Sequence, residues 1–290
     1  MAESINIGNV EVTCVLDMVP PPRPTTAMFP EVSESEWDGH QDALENGQLQ
    51  LYYTAFVVKS MDQLMMVDTG MGPGPHPDRG NLTGDLYNAI RPVLAPPDIG
   101  DNHTNVSPSD QVNFVIHTHL HADHVGWNLR YQGGMPAPSF RRARYLVPKE
   151  DYDYFTEPER LEGLEYIQRQ VMPLRRLRLQ EIVEGEYVIN DEITTQPAPG
   201  HTPGHRVVYI NSGGEKGVIV GDVLHSVAQV AHPEWCAGVD VDKAASAKNR
   251  LEILEKAEAE DMIVCAGHFP PGLVFGKVKT VDGKRTWNPI

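Results

Sequence analysis

The run His117-Thr118-His119-Leu120-His121-Ala122-Asp123-His124 decides how this chain is to be read. It follows the apolar stretch Val112 to Ile116, whose composition predicts a buried strand. His119, His121, Asp123 and His124 therefore leave the end of a strand on a turn held by a rigid sheet. Neutral imidazole and carboxylate are the usual nitrogen and oxygen donors for zinc and similar ions. Donors this tightly spaced can point at one locus, while Asp123 and His124 can face a second. With twelve histidines in 290 residues, four within eight positions is far denser than an even scatter. His117 shares strand parity with His119 but lies deeper, so its expected role is structural or supporting.

Working outward, three more segments set a ligand-type residue beside glycine: Pro199 to His205, Val218 to Asp222, and Ile263 to His268. Each ends a β-rich run or forms a tight loop where glycine lets the backbone approach closely. Singly each is weak; together they supply the remaining ligands for two metals. Upstream, the β-rich runs Leu51–Lys59 and Gln63–Val67 lead into Asp68-Thr69-Gly70. Strands are also predicted at Val10–Leu16 and Arg144–Val147. Helices are predicted over Gly84–Ile90, Lys149–Phe155, Pro158–Leu174 and Asp242–Glu258. In the last, Asp242 is the N-cap and Leu251, Leu254 and Ala257 share one face. Strands early and strand–helix alternation later fit layered sheets covered by helices. Residues 1–290 read as one domain. Residues 17–50, proline-broken but carrying Met28, Phe29 and Trp37, read as an arm that serves as a lid or a homodimer contact.

Bulk properties narrow the function. Lys plus Arg is 24 and Asp plus Glu is 40, a net charge of −16 that disfavours nucleic acid as a partner. The clusters Arg141, Arg142, Arg144 and Arg175, Arg176, Arg178 read as solvated faces. Three cysteines make no disulfide framework. No signal peptide and no membrane-spanning run is visible, so the expectation is a cytoplasmic protein acting on a small molecule.

The pattern His119-x-His121-x-Asp123-His124, followed by His201, Asp222 and His268, closely resembles the metallo-β-lactamase-fold hydrolases. The resemblance implies an α+β fold, a four-layer αββα sandwich. It also implies two divalent metal ions, zinc first, with Fe, Mn or Co as alternatives. His119, His121 and His201 would hold one ion, and Asp123, His124 and His268 the other, with Asp222 bridging. Asp68 would orient a ligand histidine. Asp222 and Asp123 are the candidate catalytic carboxylates. The segments Gly221–His225, Pro233–Trp235 and Gly267–Pro270 are most similar to the lactonase and methyl parathion hydrolase branch. The implied activity is cleavage of an ester-type bond by a metal-bridging hydroxide, with a lactone as the leading substrate. Phosphotriesters and thioesters are the alternatives, followed by a mononuclear iron dioxygenase of the same fold. No counterpart of the lactonase tyrosine stands out. His225 is expected to line the pocket and His205 to brace the His201 loop. His40, His76, His103 and His232 carry no assigned role.

Overall fold

A seven-stranded sheet grows from the N-terminal half because its β-branched runs are punctuated by tight turns. The structure is a computed structural model describing residues 2–94 and 107–290, so His103 lies outside the described residues. Two compact units are present: Met1–Met18 with Tyr53–Glu184, and Val19–Tyr52 with Gly185–Ile290.

The first unit contains β1 (Ala2–Ile7), β2 (Val10–Met18), β3 (Tyr53–Ser60), β4 (Gln63–Val67), β5 (Phe114–Ile116), β6 (Arg144–Pro148) and β7 (Gln180–Val183), paired in sequence order. The first three pairings are antiparallel and the last three parallel. The central strands carry uninterrupted buried apolar stretches, Met65–Val67, Val115–Ile116 and Tyr145–Val147, as parallel strands covered on both faces must. Met66, Val115, Tyr145 and Val147 pack with Phe140, Phe155, Ile167 and Leu174. Parallel strands deliver functional residues at their carboxyl ends. Here the end of β4 gives Asp68-Thr69-Gly70, and the end of β5 gives the histidine run.

One expected helix breaks. Pro158–Leu174 resolves into Pro158–Leu161, a π-helical turn Ile167–Val171 and a short helix Met172–Arg176. The chain leaves the helix at Glu162–Leu164, around Gly163; further on, Pro173 has no N–H to offer the Arg169 carbonyl one turn earlier, and the stretch before it is π-spaced. That carbonyl accepts the Tyr131 hydroxyl instead, at 2.7 Å. Tyr131 belongs to a small hairpin, Leu129–Gln132 with Met135–Pro138, which periodicity did not suggest.

The second unit contains β8 (Tyr187–Val188), β9 (Ile193–Pro197), β10 (Arg206–Ser212), β11 (Glu215–Ile219), β12 (Ile263–Cys265), β13 (Phe275–Val281) and β14 (Lys284–Pro289), again in sequence order. Only β11 and β12 run parallel. The helix Lys243–Ala259 links them, with Asp242 capping it as expected: the carboxylate accepts the Ala245 N–H at 2.9 Å. Its inward face differs from expectation. Ser246, Arg250, Ile253, Leu254 and Ala257 are buried, whereas Leu251 is half-exposed. A buried guanidinium is tolerable because Arg250 donates to the carbonyls of Val223, Pro233 and Trp235. Among the described residues no helix is long and apolar enough to cross a membrane.

Candidate metal centre

In the first unit the donors are held from below by Asp68. This residue takes a left-handed backbone, φ +62°, a conformation costing a non-glycine residue about 1–3 kcal/mol and concentrated at functional sites. Its carboxylate accepts the Thr118 N–H at 2.8 Å, the Thr118 hydroxyl at 2.7 Å and His124 Nδ1–H at 2.8 Å. Having given its proton to Asp68, the Thr118 hydroxyl can only accept from His119 Nδ1, 3.0 Å away. Both tautomers are thereby set: His119 and His124 carry their protons on Nδ1 and present a lone pair at Nε2. His119 Nε2 lies 3.0 Å from His121 Nδ1, and the His119 and His124 rings are 4.0 Å apart. Asp123, on the short helix Ala122–Val125, has its carboxylate 3.7 Å from His124 Nε2.

His117 stays out of this group. Its ring nitrogens are occupied by the Leu146 carbonyl and Asn128, both at 3.0 Å, and burial pushes its pKa down. It pins β5 to β6.

In the second unit the hub is Asp222, on the turn after β11. Gly221 precedes it with φ +52°, a backbone glycine adopts without penalty. His268 Nε2 is 3.0 Å from one carboxylate oxygen, while His201 Nε2 and His225 Nε2 are 3.2 and 3.1 Å from the other. Asp222, His225 and His268 offer donor atoms within 4.8 Å of one another. His201 gives its Nδ1–H to Asp240 at 2.7 Å, and His268 gives its own to the Tyr52 carbonyl at 2.9 Å. His205 holds the His201 loop through its backbone, its carbonyl accepting the Ala198 N–H and its own N–H donating to the Thr202 carbonyl, and its Nε2 also accepts the Asp222 N–H.

Imidazole Nε2 atoms facing a carboxylate need something positive between them, either protons or a cation. Burial alone lowers the His201 pKa, but Asp222 and Asp240 outweigh it and push it up to about 9. Burial likewise works to raise Asp240, and the His201 hydrogen bond, His225 and Arg250 hold it at about 2. Either a proton on His201 or a cation can meet that need. Four histidines with Nδ1 tied to protein acceptors and Nε2 turned inward form the arrangement that metal-ligating histidines adopt. The donor set fits divalent metals.

Several residues escaped sequence reading. Asp240 sits in Val239-Asp240-Val241-Asp242, where nothing distinguishes it from a surface acid. Asp17 is buried, and burial raises its pKa; it accepts from the N–H groups of Met71, Gly72 and Leu86 and from Trp127 Nε1. It anchors the loop after Gly70, where any Cβ would collide with its carboxylate. That loop helps to line a groove of about 760 Å³ in the first unit, together with Arg79, Ala122, Tyr131, Tyr166 and Arg169. Burial and then the Asp123 charge raise the Tyr166 pKa, so the phenol stays protonated.

Comparison with known proteins places the chain among relatives of one family. The profile of the metallo-beta-lactamase superfamily matches residues 102–268, more than half of the chain. The N-acyl homoserine lactonase AiiA of Bacillus thuringiensis subsp. kurstaki is 25% identical over 232 residues, covering 78% of this chain and 85% of that protein. The crystal structure of the hydrolase AbOPH, in the beta lactamase superfamily, superposes with a TM-score of 0.80 at 20% identity, over 100% of this chain and 97% of that one. The dizinc quorum-quenching lactonase AidC gives 0.78 at 20% identity, with the same coverage. These similarities establish the α+β fold class.

Proposed function

The chain belongs to the metallo-β-lactamase superfamily, and from that premise we propose that it is a dinuclear metal-dependent hydrolase that opens lactones. The observation that carries the reading is the tautomer control: His119, His124, His201 and His268 all spend Nδ1 on a protein acceptor and turn Nε2 inward. His119, His121, Asp123 and His124 from one unit, and His201, Asp222 and His268 from the other, supply the ligands for two divalent ions. Joining the two donor groups rests on the family, whose matched region contains both. Zinc is the preferred ion, because imidazole nitrogen with carboxylate oxygen is its usual donor set and because the similar protein AidC is a dizinc lactonase.

When bound, the cations would lower the pKa of a water and polarise the ester carbonyl. The protein's own part is positioning and proton transfer. Asp222 takes the proton of the attacking water and passes it to the leaving alkoxide, while Asp123 helps fix the second ion. His225, wholly buried with Nε2 against Asp222, steadies that carboxylate. The Tyr166 phenol, protonated and lining the groove, is available to donate to a substrate oxygen. Lactone is preferred over other esters because the curated relatives in this sequence range are N-acyl homoserine lactonases.

The test is a panel of lactones, phosphotriesters, thioesters and β-lactams on purified, zinc-loaded protein, with metal content measured alongside. Lactone opening that is lost on chelation and restored by zinc, with two ions per chain, is the expected result. Phosphotriester turnover without lactone turnover would overturn the substrate, and a single iron per chain would overturn the chemistry.

A further inference from the structure

The second unit holds another pair of histidines that the centre above does not use. His40, in the arm, and His232, after the short helix Ala228–Ala231, face each other with their Nε2 atoms 2.9 Å apart. Neither ring is loosely held. His232 stacks on the Trp235 indole at 4.4 Å and 11° between planes, and its Nδ1–H donates to Glu234 at 3.1 Å. His40 meets the same indole edge-on, at 5.6 Å and 73°. Its backbone N–H is tied to the Trp37 carbonyl, and the Trp37 ring packs on Trp235 at 4.9 Å.

We propose that His40 and His232 form a second, separate binding site for a borderline divalent cation such as Zn²⁺ or Ni²⁺. Two nitrogens each bonded at about 2.0–2.1 Å to one ion lie about 2.9–3.4 Å apart, so the hydrogen-bonded rings already stand at the short end of the span a shared cation sets. The same spacing, 3.0 Å, separates His119 Nε2 from His121 Nδ1. Glu234 on the far nitrogen of His232 is the carboxylate–histidine brace that fixes the tautomer and raises the basicity of a ligating ring. His232 is partly exposed and His40 half-buried, so water completes the coordination. Imidazole pairs favour zinc, nickel and copper over magnesium or calcium, which demand oxygen.

Charges around the pair suit a neutral, ligand-ready state. Burial first and then His232 lower the His40 pKa, Asp42 pulls it partly back, and Lys284 lowers it slightly further; Glu36 and Glu234 are the acids facing His232. The proton balance is simple. Without a cation, His232 Nε2 accepts and His40 donates its Nε2–H. With one, that proton moves to His40 Nδ1, and none is released. The bound cation fastens the arm to the segment His232–Trp235, whose last carbonyl accepts from Arg250 and Gln229.

The experiment is equilibrium dialysis of the full chain against rising free Zn²⁺, comparing wild type with His40→Gln and His232→Gln. Wild type should bind one equivalent more than either variant, and this difference does not depend on how many ions the main centre holds. The zinc-dependent rise in Tm above that of the saturated main centre should vanish in both variants. Glu234→Gln, which keeps both rings, should weaken the extra equivalent by about 10-fold. Equal zinc uptake by wild type and both histidine variants would overturn the proposal, as would an extra equivalent untouched by Glu234→Gln.

Discussion

In the first unit four donors fall within six residues on one turn, and a single carboxylate, Asp68, holds them through Thr118 and His124. In the second unit three donors come from residues 201, 222 and 268, on three different loops, and they converge on a donor, Asp222, that is itself the hub. The supports differ as well. One is a strained residue at a strand end; the other is a buried network in which Arg250 and Ser246 hold Asp240 and Asp240 holds His201. The first group is local and should tolerate the loss of one brace. The second is distributed, and its hub is also a candidate reacting group.

The largest effect expected from this contrast is at the hub. Asp222→Asn keeps the shape but removes the charge that three histidines face. It should lower kcat/KM on lactones by about 10³-fold, within the range for losing a proton-transfer group, and should reduce metal content. Activity within a few-fold of wild type would show that the second unit has no hub.

Next come the braces, compared directly. Asp68→Asn and Asp240→Asn each remove a carboxylate that orients a proposed ligand histidine, a change that should cost about 10- to 100-fold in metal affinity. Asp240→Asn should be the more damaging. It leaves Arg250, fully buried, facing a neutral partner at 3.6 Å, and an uncompensated buried charge is costly. Competition with a chelator would rank the two variants. If Asp68→Asn loses metal more readily, the local group is the more fragile and the contrast reverses.

This contrast also explains what the sequence could reveal. The run His117–His124 is legible because its donors are neighbours and the strand before it is uniformly apolar. His201, Asp222 and His268 look alike only as glycine-flanked residues after strands, and they gained meaning from the family pattern. Asp240 and Arg250 were invisible. One resembles a loop acid, and the other occupies a helix position where a buried arginine breaks the apolar face. The π-spaced turn before Pro173 was readable in principle from its missing N–H, and the break at Glu162–Leu164 from Gly163, but the helix formers around them concealed both. The hairpin β13–β14 went unseen because its strands alternate too weakly between apolar and polar positions.

Metal removal should separate the units by pH. The folded His201 pKa is raised from 6.5 to about 9. Its proton therefore stabilises the metal-free protein fully below about pH 6.5, and that contribution is lost as the pH rises through 9. Burial pushes His117 and His225 the other way, so their effects fall on the acid side, outside this window. Chelated protein should lose thermal stability from pH 6.5 to 9, while zinc-loaded protein, whose cation replaces the proton, should not. Parallel curves for the two forms would contradict the raised His201 value.

The smallest effect concerns how each unit caps the helix beside its donors. In the first unit the N-cap of Ala122–Val125 is His121, which makes no side-chain cap bond because its ring is turned to His119. In the second unit the duties are divided. Asp242 caps Lys243–Ala259, while the backbone N–H groups of Val241 and Asp242 hold the carbonyls of His201 and Gly200. Asp242→Ala removes only the side-chain cap and should cost about 1 kcal/mol of stability. The backbone bonds that place His201 remain, so metal content and kcat should stay at wild-type values. A loss of metal in Asp242→Ala would mean that the side-chain cap itself helps to place His201.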